Sequence, residues 1–593
     1  MNWDEAMRAE APPPPDGADG RGDGPPPPSD DGPSPLDLSA QQPLNDYGNG
    51  QRLVIHFGGD LMFVPRIGWF HWSGRVWEQD FDGMGVRRVA HRIPKLIAEE
   101  AMRRKYSDRD AAVMKAATDG EEAYERLIAR PVADLSAVEV AEKSRLRELI
   151  AAAAKVKDRA AKARAEHIRF GKSAGNTSKI TNMLQEAEPY AETRLDALNI
   201  DPMVVNCESA TLALVVDTHA EAWEGRRVWT VASRPHARED LITKMMPVAH
   251  DPEAVCPEFD AFLERIQPHA PMRAFLQRWF GYSLTGLTSE QKLVFFHGSG
   301  RNGKSTLVDL IAKLLGEYAT SVPIESLTGN EQRKGGDATP DLVRLPGARM
   351  VRASEPEEGI RFREATVKSF TGGEPLLIRR MREEFVEIEP EFKLTISGNH
   401  KPNVRGTDDG IWRRILLVPF AVQIPRDEID PLLPKKLWEE RAGVLNWLLD
   451  GALAFLSGGL QEPPEVTDAT AEFRDDSDPV RSFLMDACEV TGEAADFELA
   501  RDLIEAFQVY QTDQGAAAWG NRAASLRMAE KAGAYTDPKT RASFTRRKTA
   551  STNGYAGLRL TADMRARLDQ VREEKARRFG GKSKADDAAD GFV

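Results

Sequence analysis

The run 298-GSGRNGKST-306 carries the strongest chemistry in this chain of 593 residues. It fits G-x-x-x-x-G-K-[ST], with Ser305 in the last place, a pattern that cradles the phosphates of a nucleoside triphosphate. Gly298, Gly300 and Gly303 let backbone N–H groups close around phosphate oxygens where a Cβ would intrude. Ser299, Arg301, Asn302 and Thr306 complete the loop. Lys304 brings a positive charge to the β- and γ-phosphates, and Ser305 offers a hydroxyl to Mg²⁺.

Binding alone is not hydrolysis. An acid must hold Mg²⁺ and position water, and 349-RMVRASEPEE-358 supplies Glu355 at the end of a strand, with Glu357 and Glu358 close behind. Asn399 ends 393-KLTISGN-399, where an uncharged amide could sense the γ-phosphate or orient water, although Asn is also a common turn former there. Arg413 and Arg414 precede the apolar run 415-ILLVPF-420, as residues reaching across to a neighbouring subunit would. An arginine finger is worth ~10³–10⁵ in rate because it stabilises charge developing on phosphoryl oxygens.

These residues need a scaffold, and the surrounding pattern provides one. Short apolar segments at 292–298, 349–355, 392–399 and 413–420 alternate with helical patterns, including 304–315, which predicts a mostly parallel α/β sheet. Upstream, 51–90 is aromatic-rich and alternating, and reads as short antiparallel strands. From about 93 to 200 the composition turns to Ala, Glu, Lys and Arg, predicting long helices at 137–170 and 178–196. Strand patterns return at 203–205, 212–216 and 227–231. After Asp478-Pro479 the sequence predicts helices at 480–489, 496–512 and 521–533, then a hairpin within 541–560 turning at Asn553-Gly554.

Charge looks at first like an objection to a nucleic-acid partner, since 93 acidic residues against 80 basic ones leave −13. The charge is uneven. Residues 1–50 hold ten acidic groups, two basic ones and eleven prolines, and read as a disordered tail. Without them the rest of the chain carries −5, while Lys539 to Lys584 holds fourteen basic residues and four acidic ones. Three scattered cysteines and no apolar run of membrane-spanning length point to a reducing, cytoplasmic setting without membrane contact.

The order of motifs resembles superfamily 3 helicases. GSGRNGKST, the strand ending ASEPEEG, 368-KSFTGGEPLLIRRMREE-384, 394-LTISGNHKP-402 and 406-GTDDGIWRRILLVPF-420 are similar to the C-terminal part of phage and plasmid primase-helicases of the poxvirus type. The resemblance is strong over 285–425 and weaker over 50–280 and 470–560. It implies a multidomain protein: a central α/β P-loop AAA+-like helicase core, an N-terminal α+β and helical domain, and a C-terminal winged helix. The corresponding boundaries are 1–49 for the tail, 50–283, 284–470 and 471–572 for the domains, and 573–593 for a flexible end.

The same resemblance implies ATP and Mg²⁺ as ligands and a ring, usually a hexamer, that pulls single-stranded DNA through its channel and unwinds duplex. Lys304 and Ser305 match the loop lysine and hydroxyl, Glu355 the acid shared with Mg²⁺, Asn399 the sensor, and Arg413 or Arg414 the finger acting in trans. Lys368 to Glu383 resembles the motif that forms a channel hairpin, with Arg379, Arg380 and Arg382 near its tip to meet phosphates. In the C-terminal module Arg522 and Arg527 are expected on an exposed third helix, and Arg546, Arg547 and Lys548 on one limb of a wing. A catalytic primase would need paired acids. The candidates, Asp80 and Asp82 with His91 nearby, sit in an Asp-Gly context that reads better as a hairpin turn, so any primase or polymerase partner is expected to be a separate protein. Three rival readings remain: a primase-helicase making its own primers, an ATP-dependent initiator that binds DNA without unwinding it, and a packaging or remodelling ATPase.

Overall fold

The computed structural model describes residues 33–218, 227–329, 339–356, 358–379, 385–404, 409–515, 517–548 and 553–580. Contacts divide the chain into two units: residues up to His71 with Gln79–Thr193, and Trp72–Glu78 with everything from Arg194 onward. Residues 194–283, grouped by sequence with the N-terminal domain, therefore pack with the second unit.

The first unit is mostly helical. Residues 33–49 are not all tail, because Pro35–Ser39 and Asp46–Phe57 are helices. The first is capped by Ser34 with a proline at its start; in the second, the Asn45 side chain accepts the Gly48 N–H at 2.8 Å. That second helix absorbs 51–57, which alternates like a strand. Packing decides between the two periods, for Leu53 is fully buried in one apolar cluster with Ile180 and Met183. Strands follow at Leu61–Val64 and Gly68–Trp72, antiparallel with Met62 opposite Phe70.

The 38-residue Ala137–Ala174 is the first of the two predicted long helices; Asp108–Ile128 before it was not predicted, and a turn that a Ser136–Glu139 capping box closes joins the two. The Ser136 backbone N–H, then its hydroxyl and Arg130, hold the Glu139 carboxyl down at about 2. The helix expected over 178–196 stops at Ala187, and Pro189 begins a different turn. Sealed inside this unit, Glu100 Oε1 lies 2.8 Å from Arg52 Nε and 2.6 Å from His167 Nε2, fastening three helices together.

The second unit is built on a five-stranded parallel sheet. Its strands are β1 (Leu293–His297), β2 (Ala319–Ser321), β3 (Met350–Ser354), β4 (Lys393–Gly398) and β5 (Ile415–Pro419), in spatial order β5-β1-β4-β3-β2. Four were legible in the sequence; β2, only three residues long, was not. Leu293 to Phe296 are all fully buried, as a parallel sheet covered on both faces requires. Alternate side chains feed two cores: Val294 and Phe296 pack with Leu307, Ile311 and Val418, whereas Leu293 and Phe295 pack with Val351, Leu394 and Ile396.

Ahead of the sheet, Val204–Asn206, Thr211–Val216 and Trp229–Arg234 form an antiparallel three-stranded sheet, and Ala270–Leu284 packs along Arg441–Gly458. The C-terminal segment departs from expectation in several places. Pro479–Ala487 gives way to a strand at Cys488–Val490, and Phe497–Leu499 is a strand before the helix Ala500–Asp513. A third helix, Asn521–Lys531, follows. Asn553 and Gly554 pair with Lys548 and Arg547, so they lie in a strand and not at a turn; residues 549–552 lie outside the described residues. The last helix, Ala562–Gly580, extends past the expected boundary at 572, held there by Arg572 on Asp502 and Glu505.

Candidate active site

In an open parallel sheet the loops at the carboxyl ends of the strands converge, and ligands bind there. Register makes that edge level: Gly398 of β4 and Pro419 of β5 both lie opposite His297 of β1, and Ser397 lies opposite Ser354 of β3. The next residues along are Gly298, Asn399, Glu355 and Phe420. Because β4 runs between β1 and β3, Asn399 comes between the glycine loop and Glu355.

The loop leaves β1 and turns into the helix Lys304–Leu315 through three left-handed residues, Gly300, Arg301 and Gly303. Two glycines are needed for space as well. A Cβ on Gly298 would sit 2.4 Å from both Asn302 Nδ2 and the Phe420 carbonyl, and one on Gly303 would sit 2.5 Å from Ile266 Cγ2. The loop is clamped from outside, where Asn302 Nδ2 donates to Phe420 O at 3.2 Å and the Ile424 N–H donates to Arg301 O at 2.7 Å. Gln423 Nε2 reaches Ser299 Oγ at 3.3 Å. Gln423 and Ile424 had no sequence signal, since their contact with the loop spans more than a hundred residues.

Lys304 is 5% exposed, and its ammonium donates to Gly298 O at 2.7 Å and to Asn399 Oδ1 at 3.4 Å. Both acceptors are neutral, and burial pushes its pKa below the ordinary lysine range. A buried cation with only neutral partners is an anion-binding arrangement, reinforced by the positive end of the helix it begins. Ser305 and Thr306 follow on the first turn, Ser305 exposed. Burial, then the nearby Lys401 and Lys304, lowers the His297 pKa at the end of β1.

Glu355 is exposed and left-handed, at φ +58°, and its N–H donates to Ser397 O at 2.8 Å. A non-glycine residue held in that region stores strain of about 1–3 kcal/mol, which clusters at functional sites. Glu358 is exposed, and Glu357 lies outside the described residues. Among the described residues no group of three or more His, Cys, Asp or Glu forms a metal cage. Ser305 and Glu355 together offer hard oxygens of the kind Mg²⁺ takes alongside phosphate and water.

Arg413 and Arg414 stand at the opposite, amino edge of the sheet. The Leu293 N–H donates to Arg414 O at 2.7 Å, so both arginines sit beside the start of β1, about 16 Å from its glycine-loop end at ~3.3 Å per residue. Arg413 is exposed and Arg414 buried, and both donate to Gln291 Oε1, at 3.0 and 3.2 Å. Burial, then repulsion from Arg413, lowers the Arg414 pKa.

The hairpin expected after Lys368 exists as Leu376–Ile378 against Val386–Ile388. Lys368 lies on the preceding helix, Glu364–Gly372. Arg379 is not at a free tip. Its backbone exchanges hydrogen bonds with Thr339, and its guanidinium lies 5.0 Å from the Phe385 ring centroid. Arg380 and Arg382 lie outside the described residues. In the C-terminal module Arg522, Arg546, Arg547 and Lys548 are exposed as expected. Arg527 is not: it pairs with Glu530 at 2.8 Å and lines a cavity of about 180 Å³ with Trp412, Arg474 and Lys531. The acidic pair in the first unit has a structural task. Asp80 Oδ2 accepts the Val86 N–H at 2.8 Å, and Asp82-Gly83 leads into the helix Met84–Ala90, not a hairpin.

Comparisons with known proteins divide along similar lines. A family profile described as "D5 N terminal like" matches residues 50–268, and a second, described as a family of unknown function (DUF5906), matches 296–414. The chain is 29% identical over 244 residues to "Putative helicase L207/L206" of Acanthamoeba polyphaga mimivirus, a match covering 38% of this chain and 25% of that protein. It is 28% identical over 243 residues to "Putative helicase 022R" of Frog virus 3 (isolate Goorha), with the same coverage of 38% and 25%. The chain thus spans about a quarter of the length of these relatives. Among solved structures, the apo structure of the NrS-1 C terminal region is matched at 12% identity over 59% of this chain and 96% of that one, with a TM-score of 0.32. A likeness at that score adds nothing to the fold described above. Among the described residues no helix is long and apolar enough to cross a membrane.

Proposed function

This chain belongs to the phage and viral primase-helicase family, and on that premise we propose that it is an ATP-driven, ring-forming superfamily 3 DNA helicase of phage, prophage or plasmid replication. The observation that carries the reading is the split across the sheet. Lys304, Asn399 and Glu355 meet at the carboxyl edge, while Arg413 and Arg414 stand at the amino edge.

That split divides the labour between subunits. Lys304 and the loop N–H groups bind the β- and γ-phosphates, and Asn399, already in contact with Lys304, reports whether the γ-phosphate is present. Glu355 orients the attacking water, and Ser305 and Glu355 would hold Mg²⁺, which would neutralise charge on the phosphate oxygens. Arg413 and Arg414 are too far from their own loop to touch its ligand, so they complete the site of the next subunit in a ring. The hairpin carrying Arg379, Arg380 and Arg382 contacts single-stranded DNA in the channel. Arg522, Arg546, Arg547 and Lys548 of a winged-helix-like module meet duplex phosphates. Asp80 is already committed to capping a helix, which favours a separate primase.

Strand displacement on 3′- and 5′-tailed duplexes tests this, with Lys304→Ala as control. Unwinding of one polarity by the wild type, lost in Lys304→Ala, is expected. Hydrolysis and DNA binding without displacement of either substrate would favour the initiator reading, and template-dependent primer synthesis lost on Asp80→Ala plus Asp82→Ala would favour the primase-helicase.

A further inference from the structure

Gln291 occupies an unusual place for a residue that carried no motif. It stands at the end of a turn, its N–H donating to Thr288 O at 3.1 Å, two residues before β1 begins. Its backbone is left-handed, at φ +53°, although glutamine gains nothing there. Strain of this kind persists where the surroundings impose it, and it clusters where position matters to function. What the position achieves is visible in the side chain. Arg413 Nη2 and Arg414 Nη1 both donate to the one oxygen, Gln291 Oε1. Since both partners can only donate, the amide oxygen and not its nitrogen must face them.

The two arginines are not equivalent around that oxygen. Arg414 is 9% exposed and its Nε is buried without a hydrogen bond. It is also closely walled, for a Cβ on Gly372 would lie 3.6 Å from Arg414 Nη2. Arg413 is exposed, so it alone is free to extend from the surface. A neutral acceptor suits this geometry. It fixes two like charges side by side without neutralising either, as a carboxylate partly would.

Resting on the trans-finger reading above, we propose that Gln291 is a positioning residue that aims Arg413 at the neighbouring subunit's nucleotide, with Arg414 as its buried brace. The same strand leads to both sites. Gln291 is joined through β1, fully buried from Leu293 to Phe296, to the phosphate loop of its own subunit, while the arginines it holds serve the next.

The test is steady-state, DNA-stimulated ATP hydrolysis by the full chain, with affinity for a non-hydrolysable ATP analogue measured in parallel. Gln291→Met keeps length and removes the acceptor; Gln291→Glu keeps the acceptor. Arg413→Ala should lower kcat by about 10³-fold, the lower end of a finger's worth. Gln291→Met should lower kcat by about 10–100-fold, as misplacing a catalytic group does, with analogue affinity within about twofold of wild type. Gln291→Glu should recover part of that loss, because the carboxylate keeps the acceptor while partly neutralising the arginines. The double variant Gln291→Met/Arg413→Ala should be no slower than Arg413→Ala alone, because the amide acts only through the arginine. A general folding defect would impair Gln291→Met and Gln291→Glu alike, would lower analogue affinity with turnover, and would overturn the proposal. If Arg413→Ala is impaired while Gln291→Met turns over at the wild-type rate, the finger reading stands and this inference alone falls. If Arg413→Ala and Arg414→Ala both hydrolyse normally, the finger reading fails and takes the inference with it.

Discussion

The two edges of the five-stranded sheet each hold buried cations, and the difference between them separates chemistry from scaffold. At the carboxyl edge, Lys304 has two neutral acceptors, one of them at 3.4 Å. At the amino edge, Lys393, the first residue of β4, is enclosed by three carbonyls, those of Thr285, Leu287 and Glu391, and lies 4.8 Å from the Tyr282 ring centroid. Arg349, just before β3, donates to Leu284 O at 2.8 Å and Asp201 O at 3.0 Å, beneath the Tyr318 ring. Both are sealed, and burial lowers both pKa values, that of Lys393 well below the lysine range. A lysine saturated by backbone oxygens ties segments together; a lysine with spare donor capacity can bind something. Arg413 and Arg414, on the same edge as Arg349, form an intermediate case, tethered to one amide and partly exposed.

The comparison can be broken most decisively at Lys304. Lys304→Ala should reduce ATP hydrolysis by more than about 10³-fold, since it removes a preorganised charge from the reacting phosphates. The same substitution should leave the unfolding temperature unchanged or raised, because an uncompensated buried cation has gone. A large loss of stability would place Lys304 with the scaffold. Next in size is a complementation experiment. Arg413→Ala and Lys304→Ala subunits, each inactive alone, should regain hydrolysis when mixed, because some interfaces then pair an intact loop with an intact finger. Silence in every mixture would remove the trans assignment.

The reciprocal prediction concerns Arg349. Arg349→Met strands the buried Leu284 carbonyl and the partly buried Asp201 carbonyl and should destabilise the protein by about 2–4 kcal/mol in denaturant unfolding, while turnover per folded molecule stays near wild type. Smallest is a pH effect. The Lys304 pKa is lowered by burial, and phosphate binding requires the charged form. Nucleotide affinity should therefore fall, as pH rises, at a lower pH than an ordinary lysine would give, and the bound phosphate should move the pKa back up. For stability the sign is opposite. The unfolded chain holds this proton to higher pH than the folded one, so unliganded stability gains as pH climbs from the folded toward the unfolded pKa. Calorimetric titration and unfolding across the alkaline range would detect both.

Where sequence reading succeeded, the information was local. Four of the five strands were legible because continuous apolar runs such as LVFF at 293–296 have no other stable place than between two covered faces. The glycine loop was legible because its pattern fits within nine residues and left-handed backbone demands glycine at Gly300 and Gly303, whereas the close approaches of Phe420 and Ile266 come from remote segments. Misreadings arose where distant contacts outvoted local pattern. Residues 51–57 alternate like a strand but form a helix because Leu53 completes a cluster with Ile180 and Met183. Asn553-Gly554 looked like a hairpin turn, yet it pairs across the ladder with Lys548 and Arg547. Arg527 looked free, but a partner three residues on and a cavity wall occupy it.

By itself the sequence determined what the glycine loop is made of and which strands would carry Glu355, Asn399 and the arginine pair, because each of those is a property of a few consecutive residues. Only the tertiary structure decided how they stand relative to one another. Which cations are saturated and which remain available depends on carbonyls contributed by remote segments: Thr285 lies 108 residues from Lys393, and Gln291 lies 122 from Arg413. Hydrogen-bond saturation is a sum over whatever surrounds a donor, and no spacing rule along a chain can state it before the chain has folded.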